Sequence, residues 1–162
     1  MTARAHAGLA GLATVLTLAA MPVAAQSVGE CGEWTSARNI AEPWEDHTAT
    51  YAEGRVRIAV LDTVEPAAAA VHLMILSPPL DEIGGRQCRV ISLDGRSDGG
   101  WPSGFLNIDF SGRSARYDEV DGLTLSLPVE TYEASTGGAD RALLSVTINQ
   151  STGEITAKVT AE

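Results

Sequence analysis

Lysine is almost missing from this chain. Lys158 is the only one, and the 11 cationic residues face 21 acidic ones for a formal net charge of −10. A balance of that sign repels polyanions, which excludes nucleic acid and anionic membrane surfaces as expected partners. The acids are spread along the chain rather than gathered in a run, the pattern of a solvated exterior. Histidine is as scarce, at three, which limits every mechanism that needs an imidazole. Two cysteines, Cys31 and Cys88, are too few for a zinc site built on cysteine pairs. No apolar run reaches the roughly 20 residues that span a bilayer. Phosphate-cradling glycine loops and basic patches interleaved with aromatics are missing too.

What is there begins with an export signal. Arg4 gives a short positive region, Leu9 to Ala20 is apolar, and Val23, Ala24 and Ala25 are small residues before Gln26. Cleavage after Ala25 is expected, leaving residues 26–162 as a single β domain in the periplasm or outside the cell. The one arginine ahead of the apolar stretch does not indicate a twin-arginine route. Lipidation of Cys31 would need a small residue before it, and Glu30 stands there. Removing residues 1–25 takes away Arg4 and no acid, moving the net charge from −10 to −11. In an oxidising compartment Cys31 and Cys88 are expected to pair.

Beyond the signal, apolar residues recur with a period of two, as in strands with one face buried. Leu123, Leu125, Leu127 and Val129 form one such set, and Leu144, Val146 and Ile148 another. Ile155, Ala157 and Val159 form a third, joined to the second by the polar turn NQSTGE as a C-terminal hairpin. Val56, Ile58 and Val60 read as a strand whose hairpin partner is HTATYAEG, turning at Glu53-Gly54. Leu106, Ile108 and Phe110 form a short strand, with GRSARYD expected to return alongside it through Ser111-Gly112. Cys88 to Ser92 is apolar on part of both faces, which places it centrally in a sheet. Pro66 to Pro79 suits a buried strand better than a helix because Val71 and Ile75 are β-branched. A short helical piece is expected around Ser36 to Ile40, stopped by Pro43. About eight short strands with turn chemistry between them predict an all-β fold, an antiparallel two-sheet sandwich or small barrel stapled by one disulfide.

The candidates for chemistry are few. His72, inside AVHLMIL, reads as a hydrogen-bonded core residue, and His47, after Glu45 and Asp46, as a solvated loop edge. Asp94 and Asp98 with Gly99 invite comparison with a calcium loop, but Arg96 and Phe105 stand where that loop needs oxygen ligands. Ser103 lacks the flanking glycines of an esterase elbow. The acid pairs Asp81-Glu82 and Asp118-Glu119 sit in polar turns, and spacing alone does not bring two acids across a cleft. Asn149-Gln150-Ser151 matches a glycosylation acceptor, which its place in a turn explains equally well. Trp101, held between glycines and a proline, offers a flat apolar face for a sugar ring or a partner. Trp34 and Trp44 read as a plug for the core near Cys31. No catalytic residue, metal ligand or cofactor is assigned.

The expectation is an exported, non-enzymatic recognition domain for a protein or glycan, inhibitor-like in its use of a rigid loop, with Trp101, Asp94 and Asp98 as the weak binding candidates. One alternative is a hydrolase using scattered carboxylates with His47 or His72. The other is a structural subunit of an envelope assembly. The sequence leaves the oligomeric state open.

Overall fold

The computed structural model describes residues 26–65, 67, 69–95 and 102–162. The expected signal at 1–25 lies outside them, as do Asp98 and Trp101. The first five strands are β1 (Ser27–Glu30), β2 (Thr48–Tyr51), β3 (Val56–Asp62), β4 (Val71–Leu80) and β5 (Arg86–Ser92), which form one antiparallel sheet in the order β1-β5-β4-β3-β2. The next five are β6 (Asn107–Ile108), β7 (Ser114–Asp118), β8 (Gly122–Glu133), β9 (Gly138–Ile148) and β10 (Ile155–Ala161). They form the second sheet, β10-β9-β8-β6, with β7 also on β8.

The alternation in the sequence decides which faces meet. Val56, Ile58, Val60, Leu73, Ile75 and Ile91 line the inner face of the first sheet. Leu123, Leu125, Leu127, Leu144, Val146 and Ile148 line that of the second, and Phe105, Ile108 and Phe110 fill the space between. Each of these large side chains contributes roughly 1.5–3 kcal/mol by leaving water. Both long sides of the sandwich are tied. On one, the buried Gln26 side chain accepts a hydrogen bond from the backbone N–H of Val159 in β10 at 2.6 Å. On the other, Arg113 Nε donates to the Tyr51 hydroxyl at 3.1 Å, joining the end of β2 to the second sheet.

The all-β, two-sheet expectation holds, as does the disulfide, with Cys31 and Cys88 at bonding distance and their Cα atoms 5.5 Å apart. The hairpins β2–β3 and β9–β10 form where the turns Glu53-Gly54 and NQSTGE place them. Residues 71–80 are a strand at the centre of the first sheet, and β5 is internal as expected. A single 3-10 turn occupies Ala37–Asn39. The described residues hold ten strands against the expected eight or so, and β1, four residues long, is the one with no period to show it.

Two details differ from expectation. Residues 114–118 do not return alongside 106–110. Instead β6 and β7 follow one another along the same edge of β8, pairing with Val129–Glu130 and with Gly122–Ser126. The break falls opposite Pro128, which has no N–H to donate, and the Asp109 carboxylate holds the intervening turn through Ser111 Oγ and Gly112 N. Trp44 is also no plug: it starts a one-turn helix, α1 (Trp44–His47), and is half exposed.

Candidate functional site

The outer face of the first sheet is divided by the chain's own N-terminal arm, residues 31–43. The arm is pinned to β5 by the Cys31–Cys88 disulfide. It crosses β4 where the Trp34 ring meets the His72 ring at 4.8 Å between centroids. It ends against β3, where Ile40 bridges Leu61 and Ala41 N donates to Val60 O at 3.0 Å. The crossing is internally braced, since Asn39 Nδ2 donates to Trp34 O and Thr35 Oγ1 to Gly32 O.

Under the arm lies a buried polar pair. Strand register sets His72 beside Ser92, with His72 Nδ1 and Ser92 Oγ 2.9 Å apart, and neither side chain reaches solvent. Burial lowers the His72 pKa from 6.5 to about 4, against a smaller opposite effect from the Asp62 carboxylate, so the ring is neutral at pH 7. Ser92, His72 and Asp62 are the residue types of a serine hydrolase, but a nucleophile must be reachable and Ser92 is 0% exposed. His72 is a hydrogen-bonded core residue, as its apolar setting predicts. Ser92 went unnoticed in the sequence because only the β4–β5 register pairs it with His72.

Beyond the arm the outer face is open. A groove of about 510 Å³ runs there, lined by Ile40 at the arm's end, Thr48 to Thr50 of β2, Arg57 and Ala59 of β3, and Met74 and Leu76 of β4. Its floor is thus apolar with two threonine hydroxyls, and β2 beside it is the terminal strand of its sheet. Gly54, in the β2–β3 turn, closes one end. Three guanidinium groups gather there. Arg86 donates through Nε to Arg55 O at 3.2 Å and through Nη2 to Gly54 O, Arg55 Nε donates to Ala52 O, and Arg57 lies on the groove wall. Among the described residues the only ion pair within 4.0 Å is Arg89 with Glu30, so none of these three is in an ion pair. Sequence reasoning missed this site; its one visible trace is Arg55 and Arg57 alternating with the core residues Val56 and Ile58.

The expected binding loop is described only at its neck. Leu93 N and Asp94 N both donate to Ser103 O, and Ser103 N donates to Asp94 Oδ1 at 3.1 Å. Asp94 therefore closes the loop neck with its carboxylate, accepting from a backbone N–H, while Trp101 and Asp98 lie outside the described residues. Ser103 is part of this neck.

His47 sits on α1 with Nδ1 3.1 Å from Pro43 O, at the rim of an open cleft of about 610 Å³ shared with Glu45, Asp46, Asp109 and Arg113. Among the described residues no group of three or more His, Cys, Asp or Glu side chains converges as a metal site would require. The other acids named from the sequence serve turns. Asp81 accepts from Ile83 N and Gly85 N, and Asp118 from Val120 N and Asp121 N. The bonds from Asp121 and Val120 hold the Asp118 carboxyl below its usual pKa. Asn149 spends its amide in the same way, accepting from Ser151 N and Thr152 N and donating to Val120 O. The described residues contain no helix long and apolar enough to cross a membrane. The chain matches no known protein family, no curated protein sequence and no solved structure.

Proposed function

We propose that residues 26–162 are an exported, non-enzymatic β domain that recognises a partner protein of the envelope or the extracellular space. The observation that carries this reading is the open half of the outer sheet face. A strand face that buries apolar residues under the arm continues past Ile40 as an uncovered groove with Met74 and Leu76 on its floor. Methionine and leucine on a rigid sheet suit a contact surface, because the sandwich beneath holds their positions while the side chains adapt. Export is supported by the leader at 1–25 and by the disulfide, which persists in oxidising compartments.

The hydrolase alternative retains His47 alone, since His72 is sealed beneath the arm. The structural-subunit alternative differs from recognition in needing a permanent partner. The test is chemical cross-linking in the intact producing cell, affinity recovery of the protein and mass spectrometry, run for the wild type and for Leu76→Glu. A partner recovered with the wild type and lost from the variant is expected. A partner that is equally abundant with Leu76→Glu would remove the groove from the account, and recovery of the domain alone would overturn the recognition reading. The same spectra read whether the mature chain starts at Gln26.

A further inference from the structure

Three arginines in no ion pair at one end of an apolar groove are unexpected on a chain with a formal charge of −10. They are not there by sequence proximity, since Arg86 arrives from β5 some thirty residues after Arg55. All three are exposed, and Arg86 and Arg55 are held by bonds to carbonyl oxygens of the 52–55 turn, of which Gly54 lines the groove. Glu53 in the same turn and Asp81 in the next form no ion pair with them. Like charges held together without a counter-charge repel one another, and an anionic group placed among them relieves that repulsion. The groove spans the outer face of three strands, from Thr48 and Thr50 of β2 over Arg57 and Ala59 of β3 to Met74 and Leu76 of β4.

We infer that this groove docks an extended acidic segment of the partner protein, which lies across the outer face of β2, β3 and β4, sets apolar side chains on Met74 and Leu76, and sets its carboxylates on Arg55, Arg57 and Arg86. The inference deepens the recognition reading and rests on it. It gives the arginines a role in selection as well as attraction. Elsewhere the domain's net negative charge repels an acidic chain, so such a segment is held only where this cluster meets it.

The probes are two synthetic peptides, an alternating leucine–glutamate octamer and its leucine–lysine counterpart, titrated into the full mature protein and followed by calorimetry at low and physiological salt. The acidic peptide is expected to bind, to weaken as salt rises, and to lose about tenfold or more in affinity on Arg57→Glu, with a similar loss on Arg86→Glu. The basic peptide is expected to bind only through the general field, unaffected by Arg57→Ala. Both variants change exposed side chains, and circular dichroism at matched temperature confirms their folding. Acidic-peptide affinity unchanged in Arg57→Glu, or no binding of that peptide while the cell-derived partner still requires Leu76, would overturn the inference and leave recognition standing. Loss of the cell-derived partner altogether is the separate failure of the recognition reading. A second copy of this chain as the occupant would show as a dimer by light scattering and would equally overturn it.

Discussion

His72 is conspicuous in the sequence, and the fold seals it in the interior. Its ring is wedged between Trp34 and Ser92, and burial holds its pKa at about 4 against 6.5 when unfolded. The unfolded chain therefore binds a proton that the folded chain refuses between these values. The His72 contribution is full above about pH 6.5 and declines as pH falls to about 4, by on the order of 3 kcal/mol. Carboxylates with lowered pKa, such as Asp109 and Asp118, lose their contribution only at lower pH, below the unfolded carboxylate value. Urea midpoints measured from pH 7.5 to 4.5 should fall for the wild type and stay nearly level for His72→Gln; parallel curves would contradict the buried neutral ring. Gly104 is a second case. A β-carbon there would lie 2.5 Å from Val71 O and 2.7 Å from Ala69 O, both backbone atoms that cannot swing aside. Gly104→Ala is expected to cost about 1–3 kcal/mol in urea unfolding, and a loss under a few tenths would show that the 102–105 segment relaxes.

At the scale of the element, the arm from Cys31 to Pro43 is the decisive piece. It covers Leu61 and His72 and stops at Ile40, so it both completes the core and defines the groove. The disulfide closes a span of 57 residues, worth about 4 kcal/mol in the chain-entropy picture. Replacing both cysteines by alanine should therefore lower the calorimetric midpoint by about 10 °C or more. It should also raise the exchange rate of the Ala41 amide, which pairs with Val60 O. A midpoint within 2 °C of the wild type would mean the arm is held by packing alone. Elements with strict alternation, such as β3, β8, β9 and β10, were legible because a period of two assigns both the strand and its buried face. The β6–β7 break was not, because the sequence shows that two short strands exist but not that both choose β8. The missing N–H of Pro128 is the only local sign of that choice.

Across the whole molecule, what sequence could offer about function was confined to conspicuous residues, and the proposed groove lies elsewhere. Asp94 turns out to close a loop neck. The groove is made by the place where the arm ends and by the outward residues of β2, β3 and β4, with Arg86 brought to its end from β5, and the alternation of Arg55 and Arg57 with Val56 and Ile58 is its one trace in the linear pattern. The second sheet provides the contrast: its outer face carries Thr124, Thr147 and Thr156 across three strands, with Thr124 and Thr147 hydroxyls 3.1 Å apart. The central claim is that recognition uses the first sheet's open face and not this one. The most direct test places a photo-reactive amino acid at Met74 in one variant and at Thr147 in another, irradiates the intact producing cells and compares the adducts. The account predicts a discrete partner adduct from position 74 and none from position 147. No adduct at 74, or equal adducts at both positions, would contradict it.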